Sequence, residues 1–254
     1  MALNWIPATV VRKTLWTPGL FTLGVNAPGV VPFEPGQFLQ LGFNFPEKHL
    51  HRPYSVASPH ADYLEFFIVL VETGELTPHL WNLKVGDSVE VSEKAAGSFT
   101  LSHAPQSRDV WLIATGTGVA PYIAMLREKN IWEKYQRVIL VHGVRYPADL
   151  AYQVELEELQ HQHGGKFMYV GVVSRVPSKV EGHTSRFLSG RITDCFNSLA
   201  LEQETGISIT PQYSTIMLCG NPAMLDEMEN LLAQRGLQRH RTKSPGHVVV
   251  ERYW

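Results

Sequence analysis

Cysteine is nearly absent from this chain: two residues, Cys195 and Cys219, in 254. Two thiols cannot build a disulfide framework or hold a four-cysteine iron–sulfur cluster. A redox centre here must therefore be an organic cofactor or rest on histidines. Long apolar runs are missing too. The longest, at 66–71, has six residues, far short of the roughly 20 a membrane helix needs. The opening Met1-Ala2-Leu3-Asn4-Trp5 has no basic head and no apolar stretch with a cleavage site, so no export signal is read there. Neither sign of charge dominates, with 22 Lys and Arg against 24 Asp and Glu. That balance argues against binding nucleic acid by bulk phosphate neutralisation. A soluble, cytoplasmic chain with no membrane or nucleic-acid partner is expected.

The chain is rich in apolar and aromatic side chains: 44% of residues are apolar, with 6 Trp, 9 Tyr and 11 Phe. This excludes a disordered chain, and the length suffices for one large core or two modest ones. Short β-branched and aromatic segments recur at 8–13, 20–26, 37–43, 63–71 and 87–91. Pro-Gly turns at Pro18-Gly19, Pro28-Gly29 and Pro35-Gly36 and a Gly86-Asp87 break separate them. This rhythm predicts an antiparallel β-barrel over 1–103, with one short helix at 77–83. After Pro105 strands at 109–114, 138–142, 167–173 and 215–219 alternate with helical stretches. Tyr122, Met125 and Leu126 mark the first, followed by 151–161 and 222–235. Alternation of this kind predicts a parallel α/β sheet over 104–254. The stretches 178–191 and 203–212 read as exposed loops.

The run Ala114-Thr115-Gly116-Thr117-Gly118-Val119-Ala120-Pro121 follows a strand and opens a helix. Glycine there lets backbone approach a pyrophosphate, and a helix start offers free N–H groups. Taken alone it is equally a tight strand-to-helix turn, and Pro121 stands where the dinucleotide fingerprint has its third glycine. The next strand ends in His142-Gly143-Val144-Arg145, with Arg where an NAD site has a carboxylate, and the following one in Val173-Ser174-Arg175. Two guanidiniums at neighbouring strand ends suit a bidentate grip on a 2′-phosphate. NADP(H) is thereby favoured over NAD(H). In the first half Arg52-Pro53-Tyr54-Ser55 offers a phosphate partner, a ring to stack and a hydroxyl. His49-x-His51 and His161-x-His163 lack Cys or carboxylate partners at ligand spacing, so no metal site is expected. No Gly-x-Ser-x-Gly elbow surrounds Ser55 or any other serine, which excludes that hydrolase arrangement.

In order along essentially the whole chain stand several further motifs beside these. They are Gly74-x-Leu76-Thr77, Ala96-Gly97-Ser98-Phe99, Gly190-Arg191, Cys219-Gly220-Asn221-Pro222 and the terminal Val250-Glu251-Arg252-Tyr253-Trp254. Together the motifs resemble the bacterial ferredoxin/flavodoxin–NADP reductases. The resemblance implies a ferredoxin reductase-like fold, an FAD-binding barrel, an NADP-binding α/β domain and a C-terminal tail returning to the flavin. It implies Arg52 on the FAD pyrophosphate, Pro53 beside it, Tyr54 on the isoalloxazine and Ser55 near flavin N5. Phe67, Ile68 and Val69 would offer backbone to FAD, with Gly74, Leu76 and Thr77 cradling its phosphates. Thr117 would lie beside flavin and nicotinamide. Arg145, Ser174, Arg175 and Arg191 would grip the 2′-phosphate, with Arg186 the alternative to Arg191. Asn221 and Pro222 would line the nicotinamide side, with Cys219 close to the reacting ring. Tyr253 would approach the isoalloxazine and Trp254 the adenine, and Ser55, Cys219 and Glu251 are the catalytic candidates.

The activity so implied is hydride exchange between nicotinamide C4 and flavin N5, coupled to one-electron steps with a ferredoxin or flavodoxin. An NADPH-dependent flavin or oxygenase reductase of the same fold, or a non-catalytic flavin-binding redox sensor, fits the same motifs. Arg235, Arg239, Arg241 and Lys243 fall in a stretch without Asp or Glu. Such a stretch is either a solvated loop or a docking patch for an acidic carrier; the resemblance favours docking.

Overall fold

The computed structural model describes residues 3–175 and 187–252. Two compact units divide the chain: one runs from Met1 to Leu101 and takes in Ala120–Glu128, the other comprises Ser102–Val119 and Lys129 to Trp254.

The first unit holds six strands, β1 (Trp5–Thr17), β2 (Leu20–Asn26), β3 (Phe38–Asn44), β4 (His49–Ser55), β5 (Tyr63–Val69) and β6 (Ser88–Ser92). Helix α1 (Thr77–Asn82) interrupts them, and α2 (Ala120–Leu126) joins the unit from later in the chain. The sheet is antiparallel with order β4-β3-β6-β1-β2-β5, and a bridge between Val56 and Phe66 ties its two edges into a barrel. β1 is long because register shifts near Val10 and Leu15 bend it, so that it serves two neighbours, β6 and then β2. Phe21, Leu23, Val25, Leu39, Leu41, Leu64 and Phe66 fill the interior. Each such burial stabilises by about 1.5–3 kcal/mol relative to exposure. α2 is tied in by Arg127, just beyond its end, whose Nη1 donates to Ala57 O at 3.0 Å and pairs with the buried Glu65 at 2.8 Å.

β4 is the strand that periodicity misses. His49-Leu50-His51-Arg52-Pro53-Tyr54-Ser55 carries a proline and three basic side chains, a poor strand composition. Proline is tolerated because β4 closes one end of the strand order.

In the second unit six strands are parallel, in the order β10-β9-β8-β7-β11-β12. They are β7 (Asp109–Thr115), β8 (Arg137–Val144), β9 (Phe167–Val173), β10 (Phe187–Ser189), β11 (Ser214–Gly220) and β12 (Val248–Arg252). Helices α3 (Lys129–Lys134), α4 (Gln153–His163), α5 (Ile192–Asn197), α6 (Ala200–Thr205) and α7 (Pro222–Gln234) connect them. β7 and β11 are buried along nearly their whole length, as parallel strands covered on both faces must be. The buried Asp109 at the start of β7 receives both arms of Arg137 on β8 at 2.7 Å, a bidentate clasp that fixes the register of the two strands. Two expected loops are partly ordered elements. Strand β10 lies within 178–191, of which 178–186 fall outside the described residues; 203–205 end helix α6, and Ile207 and Ile209 are buried. Six-residue helices and a three-residue strand are too short to show a period. Among the described residues no helix is long and apolar enough to cross a membrane.

Candidate functional site

Each unit gathers one set of the expected residues. In the first, Arg52, Pro53, Tyr54 and Ser55 are the last four residues of β4, paired with Leu41, Gln40, Leu39 and Phe38 of β3. Ser55 is only 4% exposed, and its hydroxyl has no hydrogen-bond partner among the described residues. A buried hydroxyl without a partner costs free energy, so this oxygen is the unit's most informative atom. Burial holds the half-buried Tyr54 phenol up at about 12 despite the opposing Arg52 charge, which keeps it neutral.

Arg52 is exposed; its Nη1 donates to His51 O at 2.7 Å and its Nη2 approaches Glu75 at 3.4 Å. Glu75 also takes Lys48 at 2.6 Å. These contacts bring the turn Gly74-Glu75-Leu76-Thr77 to the end of β4. The turn is self-clasped: Gly74 N–H donates to Val71 O, while Thr77 Oγ1 accepts from Val71 N–H at 2.9 Å and donates to its carbonyl at 3.0 Å. Leu76 and Ile68 point into the barrel core and Phe67 is buried as well, whereas Val69 is exposed.

In the second unit Thr117, Arg145, Ser174, Arg175, Arg191, Asn221 and Pro222 follow the carboxyl ends of β7, β8, β9, β10 and β11, and Cys219 lies near the end of β11. After β7 one 3-10 turn, Gly116–Val119, precedes α2, so the glycine run does not open the helix directly. Gly118 and Gly220 are required by a close crossing. A Cβ on Gly118 would lie 2.8 Å from Cys219 O, and one on Gly220, at φ +133°, would lie 2.2 Å from Thr115 Oγ1. That hydroxyl accepts from Asn221 N–H at 2.8 Å. Asn221 Oδ1 in turn caps α7, accepting from Ala223 N–H at 2.9 Å and Met224 N–H at 3.4 Å, with Pro222 at the first helical position. Thr117 is half-buried on the turn. Cys219 is fully buried, so what it presents to the turn is its carbonyl. Opposite Cys219 in the sheet stands Glu251 of β12, half-buried, its carboxyl pushed up to about 7 by burial.

Arg145, Ser174, Arg175 and Arg191 stand just past three adjacent strands. Ser174 donates to Val144 O through both N–H (3.0 Å) and hydroxyl (3.2 Å), and Arg175 N–H donates to Arg145 O at 2.8 Å. Gly190 N–H reaches Val173 O at 2.9 Å, which puts Arg191, exposed at the start of α5, at the end of β10. Arg186, Tyr253 and Trp254 lie outside the described residues. Three residues have no role assigned from the sequence: Thr115 and His142, which stand in the quoted motifs, and Tyr146. Tyr146 accepts from Arg175 Nη1 at 3.3 Å, and its signal was an aromatic directly after Arg145. His142 is fully buried, with Nε2 donating to Gly116 O at 3.0 Å; a histidine ending an apolar strand was the signal.

The basic stretch divides. Arg235 bonds Glu202 at 2.9 Å and covers the Phe196 ring at 3.9 Å, and Arg239 pairs with Glu229 at 3.2 Å. Arg241 and Lys243 are exposed and have no ion-pair partner among the described residues. Their loop is held by backbone bonds between Arg241 and Ser244, and by Gly246 N–H donating to His240 Nδ1.

Two family models match the chain: one described as an oxidoreductase FAD-binding domain over residues 15–100, and one described as an oxidoreductase NAD-binding domain over 112–230. The flavodoxin/ferredoxin–NADP reductase of Escherichia coli (strain K12) is 38% identical over 253 residues, covering 99% of both chains. That of Buchnera aphidicola subsp. Baizongia pistaciae is 37% identical over 254 residues, again covering 99% of both. The chain belongs to the flavodoxin/ferredoxin–NADP reductase family. A crystal structure of a ferredoxin NADP+ reductase from Neisseria gonorrhoeae, with bound FAD and NADP, superposes with a TM-score of 0.90 at 28% identity. It covers 98% of this chain and 99% of its own. Membership in this reductase family makes the chain an oxidoreductase.

Proposed function

We propose that the chain binds FAD on its first unit and NADP(H) on its second, and moves electrons between NADPH and a ferredoxin or flavodoxin. The residues present fit both groups. The orphaned Ser55 hydroxyl suits a polar atom of a flavin ring. The exposed Arg52 beside the Gly74–Thr77 turn suits a pyrophosphate. The observation that carries the reading is the set of guanidiniums past three adjacent strands. Backbone bonds join Arg175 to Arg145, Ser174 to Val144 and Gly190, the neighbour of Arg191, to Val173, and none of the three arginines has an ion pair among the described residues. Such a cluster suits a 2′-phosphate dianion.

When bound, FAD supplies the chemistry: it exchanges hydride with nicotinamide C4 at N5 and electrons singly with a carrier. The chain's own residues bind and orient. Ser55 holds a hydrogen bond at the flavin ring, Tyr54 covers the ring as a neutral phenol, and Arg52 neutralises phosphate. Thr117 and the Asn221-Pro222 cap shape the nicotinamide side. Glu251, half-buried, is proposed to hold or release a proton near pH 7. Cys219 acts through packing and its carbonyl, because its thiol is buried. Tyr253 and Trp254 are proposed to cover the isoalloxazine and the adenine. Deleting Trp254 should then weaken FAD binding roughly 5- to 150-fold, as loss of about 1–3 kcal/mol of base stacking implies, and leave FMN binding unchanged. Arg241 and Lys243 are the proposed docking charges for an acidic carrier, with Arg235 and Arg239 holding their loop to the body. Release of FAD, not FMN, from the denatured yellow protein tests the cofactor; a protein that takes up no FAD refutes the reading.

A further inference from the structure

We propose that His142 is a positioning residue for the nucleotide turn: by donating from Nε2 to the Gly116 carbonyl, it fixes residues 115–119 in the form that receives the pyrophosphate and nicotinamide half of NADP(H). This rests on NADP(H) as the ligand of the second unit.

His142 sits on β8 between Ala114 of β7 and Gly171 of β9, with no exposed surface. The four residues before it, 138–141, are apolar and fully buried, as that place in a parallel sheet demands. An imidazole there is costly, because its Nδ1 has no partner among the described residues. Leucine would fill the place without that cost. What histidine adds is one donor, 3.0 Å from Gly116 O. A carbonyl can only accept, so the proton is on Nε2 and the bare lone pair on Nδ1. Burial drives the ring's pKa down to about 4, against the pull of the Gly116 bond, so this tautomer persists at physiological pH.

Gly116 needs such an anchor. It is exposed at φ +53°, and a Cβ there would meet nothing within 4 Å. Packing therefore does not hold its conformation, and glycine samples both signs of φ freely. The turn is pinned on either side: Thr115 by the Asn221 N–H bond, and Gly118 by its fit against Cys219 O and Gly220. His142 supplies the bond at the residue between. Thus β8 and β11 both brace the turn that leaves β7.

The test uses the FAD-loaded protein and two ligands, NADP+ and 2′-phospho-AMP, titrated calorimetrically into wild type, His142→Leu and His142→Gln, with thermal unfolding of each. The smaller ligand carries the 2′-phosphate and adenine but neither the pyrophosphate nor the nicotinamide. His142→Leu should unfold at or above the wild-type temperature and bind 2′-phospho-AMP normally. It should bind NADP+ roughly three- to tenfold more weakly, the scale of one neutral hydrogen bond. His142→Gln, which keeps an amide donor at similar reach, should recover most of that loss. Unchanged NADP+ affinity in His142→Leu overturns the proposal. So does a parallel loss of both ligands, which marks general disruption of the sheet, and so does a glutamine variant no better than leucine. Should His142→Leu not fold, Gly116→Ala carries the test. Alanine is strained at this φ, so NADP+ alone should weaken, and normal NADP+ binding overturns the proposal. A wild type that binds neither nucleotide sinks the NADP(H) reading itself; variants that fail to separate the two ligands sink the role of His142 alone.

Discussion

Replacing Ser55 with alanine should move stability and turnover in opposite directions. The side chain is 4% exposed and its oxygen lacks a partner among the described residues. Without flavin, that hydroxyl carries the desolvation cost of an unsatisfied buried group, about 1–3 kcal/mol. Alanine removes the group and leaves a void of one oxygen atom. The flavin-free variant should thus be as stable as wild type or more so. Unfolding should shift upward by roughly 2–4 °C for each kcal/mol gained. With FAD bound, the same change deletes a hydrogen bond worth about 0.5–1.5 kcal/mol. If that bond is stronger as hydride is transferred, flavin reduction by NADPH should slow roughly 2- to 13-fold. Thermal melts of the two apoproteins and stopped-flow bleaching of the flavin by NADPH read the two effects separately. An apoprotein destabilised by more than about 1 kcal/mol would show that the hydroxyl is satisfied within the protein, and an unchanged reduction rate that it faces no reacting atom. Either result refutes the reasoning.

Arg145→Ala and Arg175→Ala should each remove a charge-assisted contact of about 1.5–3 kcal/mol, a roughly 10- to 150-fold loss in kcat/KM for NADPH with NADH little affected; equal losses with both nucleotides would make these arginines structural. Burial raises the Glu251 carboxyl from 4.5 to about 7 in the folded protein. The neutral form is thus the favoured folded form, and its contribution, complete below pH 4.5, is lost as pH rises through 7. Glu251→Gln should flatten that loss in denaturant titrations across pH 4.5–7, and an unaltered profile contradicts the assignment. Arg241→Glu with Lys243→Glu should slow reduction of an acidic carrier and weaken its salt dependence while leaving ferricyanide turnover intact; equal slowing of both acceptors argues against docking there.

Much of the architecture was legible because its strands obey simple patterns. The 20–26 and 167–173 segments coincide with β2 and β9, since β-branched and aromatic residues between turn residues leave few alternatives. β4 was illegible for the opposite reason. Its composition is set by its functional side chains, Arg52 to Ser55, rather than by packing, and only an edge place in the sheet accommodates Pro53. The arginines at 145 and 175 could be read from their position after apolar strands. Arg191 could be assigned only by resemblance, because the three-residue β10 that carries it to the same sheet end has no periodicity. His142 and Thr115 act through hydrogen bonds to residues 26 and 106 positions away, contacts that no local pattern reports. The charge of the basic stretch was visible, but not its division. Arg235 is occupied by Glu202, far back in the chain, while Arg241 and Lys243 are left to solvent.

Electron transfer from NADPH to a protein carrier can be read in a single experiment. FAD-loaded protein is mixed in the stopped flow with NADPH and a bacterial flavodoxin or ferredoxin, against an equal concentration of free FAD. At least one carrier should be reduced well above the free-flavin rate, with NADH a much poorer donor. Rapid bleaching of the flavin by NADPH, with neither carrier reduced faster than by free FAD, would contradict it and make the chain a flavin reductase of the same fold.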